Sequence, residues 1–393
     1  MSDAKKALPT GPLAGVRVIE LAGIGPGPWA GMMLSDMGAD VLRIDRPGGS
    51  GASVPPEFDV SLRGRRSAIV DLRSPQGVEL LLDLVETADV LIEGNRPGVT
   101  ERLGVGPMDC HARNPGLVYG RMTGWGQTGP LSQTAGHDLT YIAVTGALHA
   151  MGREGESPAI PLNLVGDYGG GGAFLVIGVL AALFEAQRSG RGQVVDAAIV
   201  DGTLALAAPM FGMLAAGMWH DKRGVNMLDG GLPWYDVYGT ADGKHVAVGP
   251  LEPKFFDTLA GDLGAEDTSR TRFEDGRTDV IRAHFADEFV SETRDHWQHT
   301  FEKTDACVAP VLSLTEAAEH PHLVSRGSFI DVGGVRQPAP APRFDRTPST
   351  VGSPPAHPGQ HSTEALLEWG IGADRVDHLI DSGVVLQQDR DEP

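Results

Sequence analysis

The segment VRVIELAGIGPGPWAGMMLSDMGADVLRID, residues 16–45, decides the fold of this chain. A short apolar run, VRVIELA, is followed by a turn of glycines and prolines and then by WAGMMLSDMGA, whose apolar residues recur at helical spacing. The run DVLRID is apolar again. A strand, a helix and a second strand in this order predict a βαβ unit, in which the two strands are parallel.

The same alternation continues to about residue 125. The apolar runs SAIVDL, DVLIEG and LVYGRMTG are interrupted by PQGVELLLDLVETA, which has helical spacing and carries Pro75 where a first helical turn accepts proline. Strands that alternate with helices predict an α/β fold with a parallel, Rossmann-like sheet covered by helices on its faces.

Beyond residue 125 the sequence predicts a long apolar helix that ends the large domain and then a smaller α+β domain. The run AFLVIGVLAALFEA is shorter than a membrane span, so we expect a buried helix. Two β-rich runs around Asp242-Gly243 predict a hairpin. The proline-rich stretch 337–360 is expected to connect elements with little packing of its own. We therefore predict a large α/β domain over 1–200 that 330–393 completes, a helical linker over 201–232, and the small domain over 233–329.

Composition narrows the function classes. The 393 residues carry a formal net charge of −20, which disfavours non-specific binding to nucleic acid or to anionic membranes. The cysteines are Cys110 and Cys307, too few for a disulfide framework, so we expect a reducing compartment. The N-terminus has no apolar core typical of a signal peptide, and the C-terminus is not a peroxisomal address. We expect a cytoplasmic protein.

The glycine turn of residues 16–45 also raises the possibility of a nicotinamide-binding site. Glycines at 23 and 25, with Asp45 about 20 residues later, resemble the dinucleotide fingerprint. The fingerprint needs glycine or alanine at position 28, where Pro28 stands, and Pro26 and Pro28 lack the N–H groups that hold a pyrophosphate. The pattern therefore favours a sharp βα turn, and a nicotinamide-dependent oxidoreductase stays an alternative.

Arginines recur where the predicted strands end. Arg46, Arg73 and Arg96 each follow an apolar run, and Arg102 is close by. Open α/β sheets bind ligands at the carboxyl ends of their strands, and the guanidinium fork suits phosphate. Each arginine alone is better explained as a solvated loop residue. Together they predict an anionic, nucleotide-like ligand at one edge of the sheet.

Two motifs contain candidate acid–base groups. In AGHDLTYIAVTGALHA, His137 is either a chemical group or the residue before a helix that Asp138 caps. In NLVGDYGGGGAF, Asp167 is either a chemical group or a helix cap. The run Gly169–Gly172 is costly to order unless the backbone approaches something closely, and its N–H groups are candidates for stabilising an oxyanion.

Taken together, the motifs resemble the class III CoA-transferase superfamily, and within it the racemase branch. The residues that carry the resemblance include GPLAGVRVIELAGIGPGPWAGMMLSDMGADVLRIDRPGG, ADVLIEGNRPGVTERLG, RMTGWGQTGP, AGHDLTYIAVTGALHAMG, PLNLVGDYGGGG and PAPRFDRTP, in this order along the chain. The transferases resemble GFDL where this chain has GHDL, and they use one aspartate to form an acyl-enzyme anhydride. His137 is the feature of the racemases.

The resemblance implies a role for each motif. His137 and Asp167 would be the two acid–base groups of a racemase that inverts the α-carbon of 2-methylacyl-CoA thioesters through an enolate. Glu252 would orient the histidine, arriving from the partner subunit of an interlocked homodimer. The segments that would hold CoA comprise Arg46, Val70, Asp71, Leu72, Arg73, Gly94, Asn95, Arg96 and Arg102. CoA is part of the substrate, and the resemblance implies neither a metal nor an organic cofactor.

The first alternative is CoA transfer, with Asp167 as the nucleophile. The second is the nicotinamide-dependent oxidoreductase, which would show a melting shift with NAD(P) rather than with CoA esters. A non-catalytic binding module is the third.

Overall fold

The computed structural model describes residues 10–49 and 54–388. The chain forms two compact units. The first comprises residues 1–145, 162–206 and 326–393, as far as they are described, and the second comprises residues 146–161 and 207–325. Residues 146–161 thus belong with the second unit, although they lie between two segments of the first. The sequence pattern does not predict this assignment. The predicted domain boundaries stay predictions.

The strands and helices of the described residues have the following bounds. The strands are β1 (Arg17–Leu21), β2 (Asp40–Asp45), β3 (Arg66–Val70), β4 (Val90–Glu93), β5 (Val118–Thr123), β6 (Val194–Ala198), β7 (Asp236–Gly239), β8 (His245–Val248), β9 (Val308–Pro310), β10 (Phe329–Val332), β11 (Val335–Pro338) and β12 (Val385–Leu386). The α-helices are α1 (Pro26–Asp36), α2 (Pro75–Val85), α3 (Val99–Leu103), α4 (Pro107–Arg113), α5 (Asp138–Val144), α6 (Ala147–Ala150), α7 (Ala173–Ser189), α8 (Ile199–Ala215), α9 (Pro253–Asp262), α10 (Thr268–Thr271), α11 (Arg277–Ser291), α12 (Arg294–Phe301), α13 (Leu314–Ala317), α14 (Pro321–Ser325), α15 (Ser362–Glu368) and α16 (Ala373–Asp381). Short 3₁₀ turns cover Pro56–Phe58 and Val60–Leu62, and a π-helix covers Leu164–Gly172.

The first unit is built on a mostly parallel sheet, as predicted. Within the described residues its strand order is β12-β3-β2-β1-β4-β5-β6, with β12 antiparallel to β3 and every other pair parallel. Alternate strand residues enter two apolar clusters, one on each face. One cluster contains Ile19 and Leu42 with α2 and α15, and the other contains Val18 and Val41 with α1 and α7. The order in which the strands are added reverses between the neighbours β1 and β4, which opens a crevice at the carboxyl ends of these strands.

The helices α1 and α2 begin at prolines shortly after the carboxyl ends of β1 and β3. α1 begins at Pro26, directly after Gly25, whose φ of 70° favours glycine. Pro26 and Pro28 occupy the first turn, where a missing N–H group costs no hydrogen bond. α2 begins at Pro75, as predicted, and the Ser74 hydroxyl accepts a hydrogen bond from the Gln76 N–H group.

The apolar run around residue 175 is longer than predicted. The π-helix continues directly into α7, so the helical run Leu164–Ser189 has 26 residues and is long and apolar enough to span a membrane. The prediction that it is too short is wrong, because the glycine-rich segment before it is also helical. One such helix is weak evidence of a membrane span, since core helices of soluble proteins meet the same criteria.

The second unit contains an antiparallel sheet of order β7-β8-β9 packed on helices α9, α11 and α12. The hairpin predicted around Asp242-Gly243 is confirmed, because β7 and β8 pair on either side of it. An aromatic cluster that includes Trp234, Phe256 and Phe285 forms the core of this unit.

The proline-rich stretch packs more specifically than predicted. Gln337 lies in β11, is 2% exposed, and accepts a hydrogen bond of 2.8 Å from the Arg63 side chain through its Oε1 atom. The Arg63 guanidinium also donates to the Pro338 carbonyl and pairs with Asp36 at the end of α1. The start of the proline-rich stretch, at Gln337 and Pro338, is therefore held to the sheet domain by hydrogen bonds from Arg63, whose charge is balanced by Asp36.

Candidate active site

A cavity of about 560 Å³ opens at the carboxyl ends of β1, β4, β5 and β6. His137 and Asp167 both line it, although 30 residues separate them in the sequence. The other residues of its wall come from three loops, strand β5 and the helices α1, α5 and α8: Ile24, Gly25, Pro26, Gly94, Asn95, Arg96, Met122, Thr123, Gly124, Trp125, Ser132, Thr134, Ala135, Gly136, Tyr141 and Ile199. The two predicted acid–base groups thus share one cavity, which we call the reaction cavity.

His137 immediately precedes α5, with an extended backbone. Its N–H group donates to the Thr140 hydroxyl at 3.0 Å, and the Thr140 hydroxyl donates to the His137 carbonyl at 2.7 Å. These contacts use only the backbone of His137. Its imidazole is exposed on the cavity wall and is available for proton transfer.

Asp138 does not cap α5, so that prediction is wrong. It is the first residue of the helix and is 6% exposed. Its carboxylate Oδ1 atom accepts a hydrogen bond of 2.7 Å from the Asp167 N–H group. Asp138 therefore links α5 to the π-helix that carries Asp167.

Asp167 lies within the π-helix rather than at a helix cap. Burial raises the pKa of its carboxyl and the nearby Asp138 carboxylate raises it further, while a hydrogen bond from the Asn163 side chain and the neighbouring His137 act in the opposite direction. The turn before α1 approaches closely, since a Cβ atom at Gly25 would lie 3.3 Å from the Asp167 Oδ2 atom. The glycine turn before α1, which resembles a dinucleotide fingerprint, thus packs against the Asp167 carboxylate.

The glycine-rich run serves helix packing. A Cβ atom at Gly170 would lie 2.5 Å from the Thr203 hydroxyl in α8, and one at Gly172 would lie 2.6 Å from the Trp29 ring in α1. The Tyr168 N–H group bonds to the Asn163 carbonyl, and the glycine N–H groups that follow lie inside the helical run. They are not free to stabilise an oxyanion, so this prediction is wrong.

A second cavity of about 520 Å³ lies at the carboxyl ends of β1, β2 and β3, and we call it the carrier cavity. It brings together six of the residues predicted to hold CoA: Arg46, Val70, Asp71, Leu72, Arg73 and Asn95. Gly94 and Arg96 line the reaction cavity instead, and Asn95 lines both. The turn after β4 therefore lies where the two cavities meet.

Two predicted residues line neither of these cavities. Arg102 lies in α3, and its guanidinium approaches Gly98, where a Cβ atom would be 3.1 Å from its Nη1 atom. Glu252 belongs to the second unit, where it is exposed and immediately precedes α9.

A buried ionic network, which the sequence analysis does not identify, holds the turn after β4. Burial raises the pKa of Glu93, whose Oε2 atom accepts the Asn95 N–H group at 2.6 Å. Arg121 in β5 donates to Glu93 at 3.1 Å and to Glu101 in α3 at 2.7 Å. The carboxylate and the guanidinium thereby fix Asn95 at the junction of the cavities. The signal in the sequence was a charged residue within each of two apolar strands.

Aromatic residues of the reaction cavity were also missed. The Trp125 and Tyr141 rings meet edge to face with centroids 4.8 Å apart, and the Tyr141 hydroxyl donates to the Gly136 carbonyl at 2.5 Å. A Cβ atom at Gly124 would lie 2.0 Å from the Tyr141 ring. The glycines beside Trp125 and His137 were the available signal, because they mark a close approach by another residue.

Comparison with known proteins gives a family match and several similar relatives. Residues 13–362 match the family described as CoA-transferase family III. The chain is 43% identical over 377 residues to alpha-methylacyl-CoA racemase of Mus musculus, a match covering 95% of this chain and 97% of the mouse protein. It is 41% identical to the human racemase over 388 residues, covering 95% and 98% of the two chains.

More distant relatives include transferases. Human succinyl-CoA:glutarate CoA-transferase is 27% identical over 403 residues, covering 96% of this chain and 91% of that protein. The crystal structure of a CAIB/BAIF family protein from Brucella suis superimposes with a TM-score of 0.78 at 27% identity, covering 92% of this chain and 100% of that one.

Proposed function

This chain belongs to the CoA-transferase family III, and from that premise we propose that it is a racemase that inverts the α-carbon of 2-methylacyl-CoA thioesters. The observation that carries the proposal is that His137 and Asp167 both line the reaction cavity. The racemases of mouse and human, at 43% and 41% identity, support the same reaction.

The chemistry needs two groups in complementary protonation states. One removes the proton next to the thioester carbonyl, and the other returns a proton to the opposite face of the planar carbon. His137 accepts a proton as neutral imidazole, and Asp167 then donates one; in the reverse direction the aspartate accepts and the imidazolium donates. Burial of Asp167 suits this exchange, because its raised pKa makes the protonated carboxyl accessible nearer neutral pH.

The enolate oxygen requires hydrogen-bond donors. The first-turn N–H groups of Asp138 and Leu139 in α5 have no acceptor among the residues that the structure describes. We assign them as the donors in place of the glycine N–H groups. We propose that these side chains and donors carry out the proton transfers without a metal or an organic cofactor.

The carrier cavity is proposed to hold the CoA part of the substrate. Arg46 and Arg73 lie on its rim, where a guanidinium suits phosphate groups. Asn95 stands where a thioester would pass from the carrier cavity to the reaction cavity. Arg102 is proposed to act from α3, beside this cavity.

Glu252 is proposed to orient the His137 imidazole from the partner subunit of a homodimer. Its position immediately before α9, with an exposed carboxylate, leaves it available to another chain. Cytoplasmic location is proposed from the cysteine content.

Incubation with a single enantiomer of a 2-methylacyl-CoA in D₂O, with no acceptor acid, tests the function. A racemase washes deuterium into the α position and converts the enantiomer to a mixture of both. A transferase requires a second acid and forms an acyl-enzyme that hydroxylamine traps. Trapping at Asp167 without α-exchange would establish the transferase alternative.

Replacing Arg46 by alanine is expected to weaken binding of the CoA ester about tenfold to a hundredfold, since a hydrogen bond to a charged group contributes about 1.5–3 kcal/mol. The rate of α-exchange at saturation should change less, because Arg46 lines the carrier cavity and not the reaction cavity. Calorimetric titration and saturation kinetics separate the two. Arg346→Ala, at an exposed position, is the control. Unchanged affinity in Arg46→Ala would refute this role.

A further inference from the structure

Asp138 is a buried carboxylate that the proposed proton transfers do not use. Its Oδ1 atom accepts the Asp167 N–H group at 2.7 Å, and its Oδ2 atom is buried without a hydrogen-bond partner among the described residues. The chain leaves room for this contact, because a Cβ atom at Gly166 would lie 2.3 Å from the Asp138 Oδ1 atom. Leaving one carboxylate oxygen buried and unpaired is costly, so a purely structural role is a poor explanation for an ionisable group here.

We propose that Asp138 is a positioning residue that fixes the backbone of Asp167 and, through its charge, keeps the Asp167 side chain able to hold a proton. The proposal rests on the proposed function, in which Asp167 alternates between acid and base. Asparagine at position 138 would accept the same hydrogen bond without the charge. The two parts of the role are therefore separable.

Few charges face Asp167 from the elements around it. α5 contributes the Asp138 carboxylate and the Tyr141 hydroxyl, and the residue before it contributes the His137 imidazole. The residue preceding the π-helix contributes the Asn163 amide, and the α1 side presents the Gly25 backbone. Apart from burial, Asp138 is the group that raises the pKa of Asp167, while His137 opposes it.

The sign of the effect follows directly. Without the Asp138 charge, the Asp167 pKa falls, and the carboxyl loses its proton at lower pH. The acidic limb of the rate profile belongs to the coupled His137 and Asp167 pair, and it should move to lower pH in the same way. A purely mechanical contribution of the Asp138 hydrogen bond would not move this limb.

Asp138→Asn and Asp138→Ala are the test variants, and Asp109→Asn is the matched control. Asp109 also lies in the first turn of a helix, α4, and accepts a backbone N–H group, from Gly106 at 3.2 Å, but lines neither cavity. The first readout is the infrared carbonyl band of protonated Asp167, followed against pH in the full-length protein without substrate. The band is identified by its loss in Asp167→Asn. The second is the pH profile of α-deuterium exchange.

In Asp138→Asn we expect the Asp167 band to disappear at lower pH than in the unmodified protein and the acidic limb to shift with it. Asp138→Ala should show the same shift and lose about 10²-fold in exchange rate, because the Asp167 backbone is no longer held. Asp109→Asn should leave both unchanged. An unmoved Asp167 band in both Asp138 variants would overturn the inference even if exchange is intact. Absence of exchange in the unmodified protein would instead refute the proposed function, and the infrared titration would still decide the role of Asp138.

Discussion

Replacing His137 by alanine or Asp167 by asparagine is expected to slow α-exchange about 10²–10⁴-fold, the usual contribution of one positioned acid or base. Each variant loses one of the two groups that exchange protons at the α-carbon. Binding of the CoA ester should persist, because the carrier cavity is lined by other residues. Deuterium incorporation measured by mass spectrometry gives the rate, and calorimetric titration gives the affinity.

His378→Ala and Asp374→Asn are matched controls for this pair. Both residues lie exposed on α16 and line neither cavity. They should keep the exchange rate of the unmodified protein. Near-normal turnover in His137→Ala would contradict the assignment of the histidine, whatever the control variants show.

Replacing Arg65 by methionine is expected to lower the free energy of unfolding by about 3–5 kcal/mol. Arg65 pairs with Glu20 in the sheet unit, and both side chains are only 1% exposed. Methionine leaves the Glu20 carboxylate buried without its counter-charge, which is the costly outcome. Urea unfolding followed by circular dichroism measures the change.

The double variant Glu20→Met with Arg65→Met should recover most of this loss, because neither charge then remains buried alone. Arg66→Met is the comparison at a more exposed pair, since Arg66 and Asp40 are 18% and 33% exposed. It should cost about 1 kcal/mol or less. A loss in Arg65→Met no larger than in Arg66→Met would show that the buried pair does not act as argued.

The sheet could be predicted because its signals are local. Each parallel strand is an apolar run, and the first two helices between these strands begin at a proline, Pro26 and Pro75. The carboxyl ends of parallel strands meet at one edge, so Arg46 and Arg73 reach one cavity without any knowledge of long-range contacts.

The details of the reaction cavity could not be predicted in this way. A π-helix does not follow the spacing of 3.6 residues, so the sequence around Asp167 is better fitted by a loop and a cap. The run of glycines signals a close approach but does not identify the partner. For Gly170 the partner is α8, since a Cβ atom at Gly202 would lie 1.9 Å from the Gly170 carbonyl oxygen. The contact of Asp138 with Asp167 likewise depends on a tertiary approach over 29 residues.

The π-helix has a consequence for how the direction of the Asp167 carboxylate is set. A π turn holds more residues than an α turn, so the segment Leu164–Gly172 carries surplus chain relative to the α-helix that follows it. With the same number of residues, a continuous α-helix would turn the aspartate by about 100° about the helix axis, the rotation of one residue, and removing one glycine between Asp167 and α7 would bring it back near its present direction. The direction of the Asp167 carboxylate therefore depends on the number of residues between it and α7 together with the π geometry. The glycines let this wider segment pack against the neighbouring helices.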